Sequence, residues 1–364
     1  MSTSARQRHI NQSRAEIADQ NILMNIKAVQ MKRKIGPITL LIIMCLVLGF
    51  FTTYEYASSR VQYIDMNAQR LQAILEGHAG NPWQYRIFSA YLTSMVLNFF
   101  KGFQIPQYIT ISFICVRVME DTTILILSFL YYKELRLSIP LCLIGLVLIT
   151  WGVSYSHYDS DFSFNTFFDI IFYLLAGLSI LKHRIFWILP ISVIAALNRE
   201  TSGLIPFLLL AIVLESGWDR STLKKVVPIF ILALASYGAI FIGLRLAYGK
   251  QEFILADGYY PGLDLLKYNL FRSETWVNMI STLSVIPLLA LAGYRKFPLQ
   301  LKVFFWVVIP IWFLIHAFGA VIAETRLFLV PQILVFIPGA LCLAQNTLVP
   351  KNYSSPNPAR NQNA

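Results

Sequence analysis

The 364-residue chain is 56% hydrophobic and 13% charged, with a mean hydropathy of +0.59. A soluble globular domain carries about a quarter charged residues, so this composition excludes a water-soluble enzyme and predicts an all-α, polytopic membrane helical bundle. The net charge of +11 is dispersed along the leading segment and the loops, a pattern that suits a membrane-lipid surface and not nucleic acid.

Residues 1–34 carry Arg6, Arg8, Arg14, Lys27, Lys32, Arg33 and Lys34 against Glu16 and Asp19, and the positive-inside rule makes them a cytoplasmic basic tail. The first apolar run, "GPITLLIIMCLVLGFFTTY" at 36–54, has the length a bilayer core requires. No apolar core segment precedes it, so an anchor is expected there and not a cleaved signal. The transmembrane domain is expected over 35–345, as about ten to twelve full or half-membrane helices, with a short cytoplasmic tail at 346–364.

In "ASSRVQYIDMNAQRLQAILEG", Val61, Ile64, Ala68, Leu71 and Leu75 recur at spacings of three and four. That period predicts an amphipathic, interfacial helix in the first outer loop, ended by Gly77, with Asp65 at the border of its apolar stripe. "GNPWQYRIFSAYL" then makes a turn that delivers Arg86 to the head of the next helix, with Trp83 and Tyr85 suited to an interfacial belt.

Following spans alternately from a cytoplasmic start puts the basic loops 133–136, 182–184, 219–225 and 295–296 all inside, and the C-terminus with them. Residues 105–132 and 185–215 each begin and end on an inner basic loop, yet two full spans need about 40 residues. Each is therefore expected to be a hairpin of shortened helices. The first tip would carry Arg117, Glu120 and Asp121, and the second Asn198, Arg199 and Glu200. Charge at membrane depth costs about 3 kcal/mol per group and is kept where it pairs or lines a wet cavity, so an outward-opening polar cavity is expected. Arg199 and Glu200 could instead pair with each other inside the fold. The outer loop 248–275 adds Lys250, Glu252, Asp257, Asp264, Lys267, Arg272 and Glu274, and the last outer turn adds Glu324 and Arg326 after His316. His316 reads more simply as a packed histidine than as a base. Cys45, Cys115, Cys142 and Cys342 lie inside apolar runs without CxxC spacing, which points to neither a disulfide framework nor a cysteine metal site.

A first span, an interfacial helix bearing an acid, a Pro and aromatic turn with a basic residue, and many spans with broken helices together resemble the GT-C class of membrane glycosyltransferases. "NRET" at 198–201 and "ETR" at 324–326 resemble bacterial members. The resemblance implies a polyprenyl-phosphate sugar donor and transfer to an envelope glycan or lipid acceptor at the extracytoplasmic face of the plasma membrane. It gives Asp65 the role of catalytic base and makes Arg86 a ligand of the lipid phosphate. No DxD or paired-acid motif stands beside Asp65, so a divalent metal is not implied by the residues, and the chain has no large soluble domain after its last span.

Sugar transfer from a lipid phosphate needs a carboxylate to take the acceptor proton and cations to hold the departing phosphate. Arginine suits the second task through its planar fork. Asp65 and Glu200 are the candidate catalytic acids, with Glu55 competing for the role of Asp65. Arg86, Asn198, Arg199, Glu324 and Arg326 are the candidate substrate ligands. An envelope polysaccharide polymerase or ligase would use similar outer arginines, but it usually has one dominant outer loop. A transporter or flippase of lipid-linked sugar would keep charges in broken helices, but no inverted repeat is visible.

Overall fold

The computed structural model describes residues 37–54, 57–58, 64–156, 164–253 and 260–348. The expected basic tail, Glu55, Val61, Asp257 and residues 349–364 lie outside them. The chain divides after Val47 into two compact units. The first contributes the helical stretch 37–47, and the second, from Leu48 onward, holds the remaining helices and every candidate site residue.

In chain order, α1 (Pro37–Tyr54) is followed by α2 (Ile64–Glu76), a 3-10 turn at Trp83–Tyr85, and α3 (Ile87–Gly102). Next come α4 (Tyr108–Glu134), α5 (Ile139–Tyr155), α6 (Phe164–Leu181), α7 (Ile188–Ala196) and α8 (Leu210–Glu215). The chain continues through α9 (Arg220–Tyr248), α10 (Leu263–Phe271), α11 (Ser273–Leu283), α12 (Ile286–Ala292) and α13 (Leu299–Gly319). It closes with α14 (Leu329–Pro331), a π-helical stretch (Gln332–Phe336) and α15 (Ile337–Leu348). Among the described residues no strand forms, although Asn81 and Phe253 make an isolated bridge.

This is an all-α polytopic membrane fold, as the composition implies. Among the described residues, four helical segments are long and apolar enough to cross a bilayer: α1, α9, α13 and Thr325–Thr347. The pair α11 and α12, bent by 67°, is a fifth if it forms one span. α5, α6 and α7 are apolar but shorter.

The amphipathic helix forms where its period predicts. Ile64, Leu71 and Ile74 are buried in one cluster with Ala90, Phe113 and Val116, so the apolar stripe of α2 packs on α3 and α4. Gly77 follows at φ +86°, the left-handed conformation that stops a helix cheaply only at glycine.

The expected hairpin over 105–132 is not formed. α4 runs unbroken for 27 residues, about 40 Å, and places Arg117, Glu120 and Asp121 near its middle and not at a tip. Two sequence features account for this. No Gly or Pro interrupts 108–134, and the charges are answered sideways. Arg117 lies 3.5 Å from Glu120 and over the Phe167 ring, while Asp121 accepts hydrogen bonds from the Thr52 and Thr53 hydroxyls at 3.2 Å each.

The second hairpin is formed. Pro190, Gly203 and Pro206 interrupt the apolar run, and the chain advances through a 3-10 turn and α7, turns at 197–199, and returns through two 3-10 segments and α8. α7 is only about 14 Å long and α8 about 9 Å. Neither half could cross a bilayer core of about 30 Å.

α3 is short, 16 residues or about 24 Å, and the basic loops nevertheless gather at one end of the fold. Contacts sort the ends of the helices into two sets. At one end Lys182 pairs with Glu134 at 3.3 Å, and Gln345 binds both the Arg136 carbonyl and the Ser138 N–H. Gly293, just before Arg295 and Lys296, packs against Leu343 there. At the other end Tyr85 donates to the Gly249 carbonyl, Asn198 to that of Asn165, and Thr282 to that of Tyr155. Helix α9 joins the two sets. Its first turn is capped by Asp219, whose carboxylate accepts from the Thr222 N–H at 3.0 Å; the hydrogen bond from the Ser221 hydroxyl, then that N–H, holds this exposed carboxyl below its ordinary value.

Cysteines introduced at 134 and 182 should therefore react with a membrane-impermeant maleimide from one side of the membrane, and cysteines at 250 and 264 only from the other. A labelling pattern that mixes the two sets would overturn the two-ended arrangement.

Candidate functional site

The hairpin tip is built by a change of backbone geometry. α7 ends at Ala196, the Asn198 and Arg199 N–H groups both close on the Ala195 carbonyl, and Arg199 is then fully extended at φ −160°, ψ 149°. An extended residue sends neighbouring side chains to opposite sides. Arg199 and Glu200 accordingly face different partners.

Arg199 turns into the interior. Its Nη1 donates to Thr166 Oγ1 at 3.2 Å, its Nε lies 3.9 Å from Asp169 Oδ2, and its Nη2 lies 3.4 Å from His316 Nε2. His316 Nδ1 is 2.8 Å from the Trp312 carbonyl and must carry the proton there, which leaves Nε2 as an acceptor facing the guanidinium. Thr201 donates to the same Asp169 oxygen at 2.8 Å, and Tyr173 donates to the Thr201 carbonyl at 2.6 Å. Asn198 Nδ2 donates to the Asn165 carbonyl at 2.7 Å. Asn198, Arg199, Asp169 and His316 are all buried.

Glu200 turns toward the surface. Its Oε2 accepts from Arg86 Nε and Nη2 at 3.1 and 2.9 Å, and its Oε1 lies 3.9 Å from Arg245 Nη2. The Glu200 and Arg245 side chains are 27% and 32% exposed, so the cluster meets the surface here. Arg245 is laid over the Phe241 and Tyr85 rings, at 3.4 and 4.5 Å. Tyr237 donates to the Glu200 carbonyl at 2.7 Å, and Gly203 admits the Tyr237 ring so closely that a Cβ at 203 would lie 2.8 Å from it. Arg326 pairs with Glu324 at 2.7 Å and lies within electrostatic reach of Arg199, as does Arg86.

The structure therefore gathers Arg86, Asn198, Arg199 and Glu200 at one tip, with Glu324 and Arg326 beside it. It does not pair Arg199 with Glu200, the internal arrangement weighed from their adjacency. Each has its own counter-ion from another element. Asp65 sits on the first turn of α2, exposed and outside this ion-pair cluster. Arg117, Glu120 and Asp121 form a separate buried group on α4. The reading of single stretches missed Asp169 and Arg245. A signal existed for both: each is an ionisable residue inside an apolar run, "FNTFFDIIFY" and "AIFIGLRLAY".

Among the described residues, four arginines (Arg86, Arg199, Arg245 and Arg326) and three carboxylates (Asp169, Glu200 and Glu324) gather at this end. Glu200 Oε1, Asp169 Oδ1 and Asn198 Oδ1 are buried and accept no hydrogen bond among the described residues. Among the described residues no three His, Cys, Asp or Glu side chains converge as a metal-binding set, so no chemical step is derived through a metal. No family model, curated protein or solved structure matches the chain.

The geometry separates a structural pair from an open one. Arg199→Met should strand buried Asp169 and cost about 3–5 kcal/mol of stability, most of it restored by adding Asp169→Leu. Thermal unfolding in detergent measures both. An Arg199→Met protein as stable as the parent would show that the guanidinium is not holding the tip.

Proposed function

We propose that the chain is a multi-pass plasma-membrane glycosyltransferase that moves a sugar from a polyprenyl-phosphate donor to an envelope glycan or lipid acceptor at the extracytoplasmic face. The reading places the basic end of the fold, with both termini, in the cytoplasm, and Glu200 on the outer side. The observation that carries it is the clamp on Glu200. A glutamate whose side chain is 27% exposed is held by two arginines from distant parts of the chain, Arg86 before α3 and Arg245 on α9.

In this reading the donor phosphate takes Arg86 and Arg245, whose guanidinium forks are already positioned by Glu200, Tyr85 and Phe241. A carboxylate shared by two guanidiniums is a poor base, and drawing them toward phosphate releases it. The released Glu200 carboxylate then takes the proton of the acceptor hydroxyl as that oxygen attacks the anomeric carbon. The bond from that carbon to the phosphate oxygen breaks, and polyprenyl phosphate leaves on the arginines. Arg199 and Asn198 fix the tip from beneath. Asp65, exposed on α2, is the second candidate for the base. Arg326 and Glu324 border the same end and are candidate ligands for the sugar or the acceptor.

Reconstituted protein given labelled polyprenyl-phosphate sugar should release polyprenyl phosphate, and nucleotide sugar should not replace the donor. Glu200→Gln keeps size and removes the base, so turnover should fall by about 100-fold or more with folding retained. Arg86→Gln should weaken donor binding by at least about 10-fold. If Asp65→Asn loses turnover while Glu200→Gln does not, the base is Asp65. Activity kept in Glu200→Gln, Asp65→Asn and Arg86→Gln alike would sink the proposal.

A further inference from the structure

We propose that the groove between α6 and α7, at the basic end of the fold, binds an anionic phospholipid with its headgroup on Lys182 and Arg184. The site lies at the opposite end of α6 from the hairpin tip and does not depend on the glycosyltransferase reading.

The groove has a volume of about 410 Å³. Phe172, Leu175 and Leu178 of α6 form one wall, and Trp187, Ile191 and Ile194 form the other. The Ser179 hydroxyl in that wall already donates to the Leu175 carbonyl at 2.7 Å, so it makes no polar demand on an occupant. An apolar space of this size is poorly suited to water and well suited to hydrocarbon. Pro190, in the first turn of the short α7, also lines it.

One end of the groove differs sharply. Lys182 and Arg184 line it, in a tight turn where His183 adopts φ +53° and the Arg184 N–H closes on the Ser179 carbonyl at 2.7 Å. Arg184 is exposed and has no carboxylate partner among the described residues. Lys182 has Glu134 at 3.3 Å, but both side chains are about 40% exposed, and such a surface pair is weak enough for a phosphate to compete. Phe186 and Trp187, 76% and 58% exposed, sit beside these cations as aromatic residues do at a membrane interface. A hydrocarbon slot ending in two cations and an aromatic pair is complementary to one amphiphile, a lipid with a negatively charged head.

Native mass spectrometry of the full-length protein, titrated with dioleoyl phosphatidylglycerol or dioleoyl phosphatidylcholine, tests this. The anionic lipid should bind about 10-fold more tightly than the zwitterionic one. Lys182→Gln with Arg184→Gln should remove that difference. Ile194→Trp, which fills the groove from an exposed position, should weaken both lipids, and Lys224→Gln with Lys225→Gln, basic residues outside the groove, should change neither. All these positions are surface ones, and an unfolding temperature taken without added lipid confirms that each variant is folded. The proposal fails if Lys182→Gln with Arg184→Gln leaves the preference intact, if the control pair abolishes it, or if Ile194→Trp binds both lipids as the parent does.

Discussion

A backbone that leaves helical geometry inside a membrane must find partners for its polar groups within the protein, and the rest of this fold is arranged around that requirement. Between Ala196 and Leu210 the chain has only short 3-10 segments. Its freed carbonyls are answered by Tyr173 from α6, Tyr237 from α9 and the Phe88 N–H of α3, and its polar side chains by Asn165, Thr166 and Asp169 from α6 and His316 from α13. Four helices are thereby fixed around one tip. The charges at that tip follow from the same requirement: Arg199 can be buried because Asp169 and Thr166 accept it, and burying it leaves Glu200 facing the other way.

The chain contains two groups of buried charge, and only one interrupts a helix. Arg117, Glu120 and Asp121 are as charged as Asn198, Arg199 and Glu200, and charge alone suggested a hairpin at each. Charge does not break a helix when neighbours can answer it laterally. Thr52, Thr53 and Phe167 do so for α4. Proline and glycine favour a break, by removing an N–H or by relaxing the backbone, although α9 and α13 accommodate Pro228 and Pro310 without one. Pro190, Gly203 and Pro206 stand in one run and none stands in the other. The basic loops still meet at one end of the fold, where Lys182 pairs with Glu134 and Gln345 binds the Arg136 carbonyl.

Composition and period made the class of fold, the amphipathic α2 and the position of Arg86 legible, since each depends on local chemistry. The partners of the tip were harder to read because they are distant in sequence: Arg86 and Glu200 are separated by 114 residues, and Arg199 and His316 by 117. Adjacency suggested a pair between Arg199 and Glu200, whereas extended backbone between them forbids it. Asp169 and Arg245 were visible only as lone charges in apolar runs. Such charges are costly in lipid, so each implied a hidden partner.

The two arginine pairs at the tip also differ in what they can do. The Asp169 and Arg199 side chains have almost no exposure, and Thr201 and Thr166 hold them in addition, so this pair is part of the scaffold. The Glu200, Arg86 and Arg245 side chains are 27%, 13% and 32% exposed, so the second set borders the surface. Rearranging the second set requires no new burial of charge, because an incoming anion replaces the carboxylate on the same guanidiniums. A fixed pair below and an exchangeable one above give the tip a rigid base with a mobile counter-ion. An anion site needs that combination if binding its ligand is to change the state of the neighbouring carboxylate.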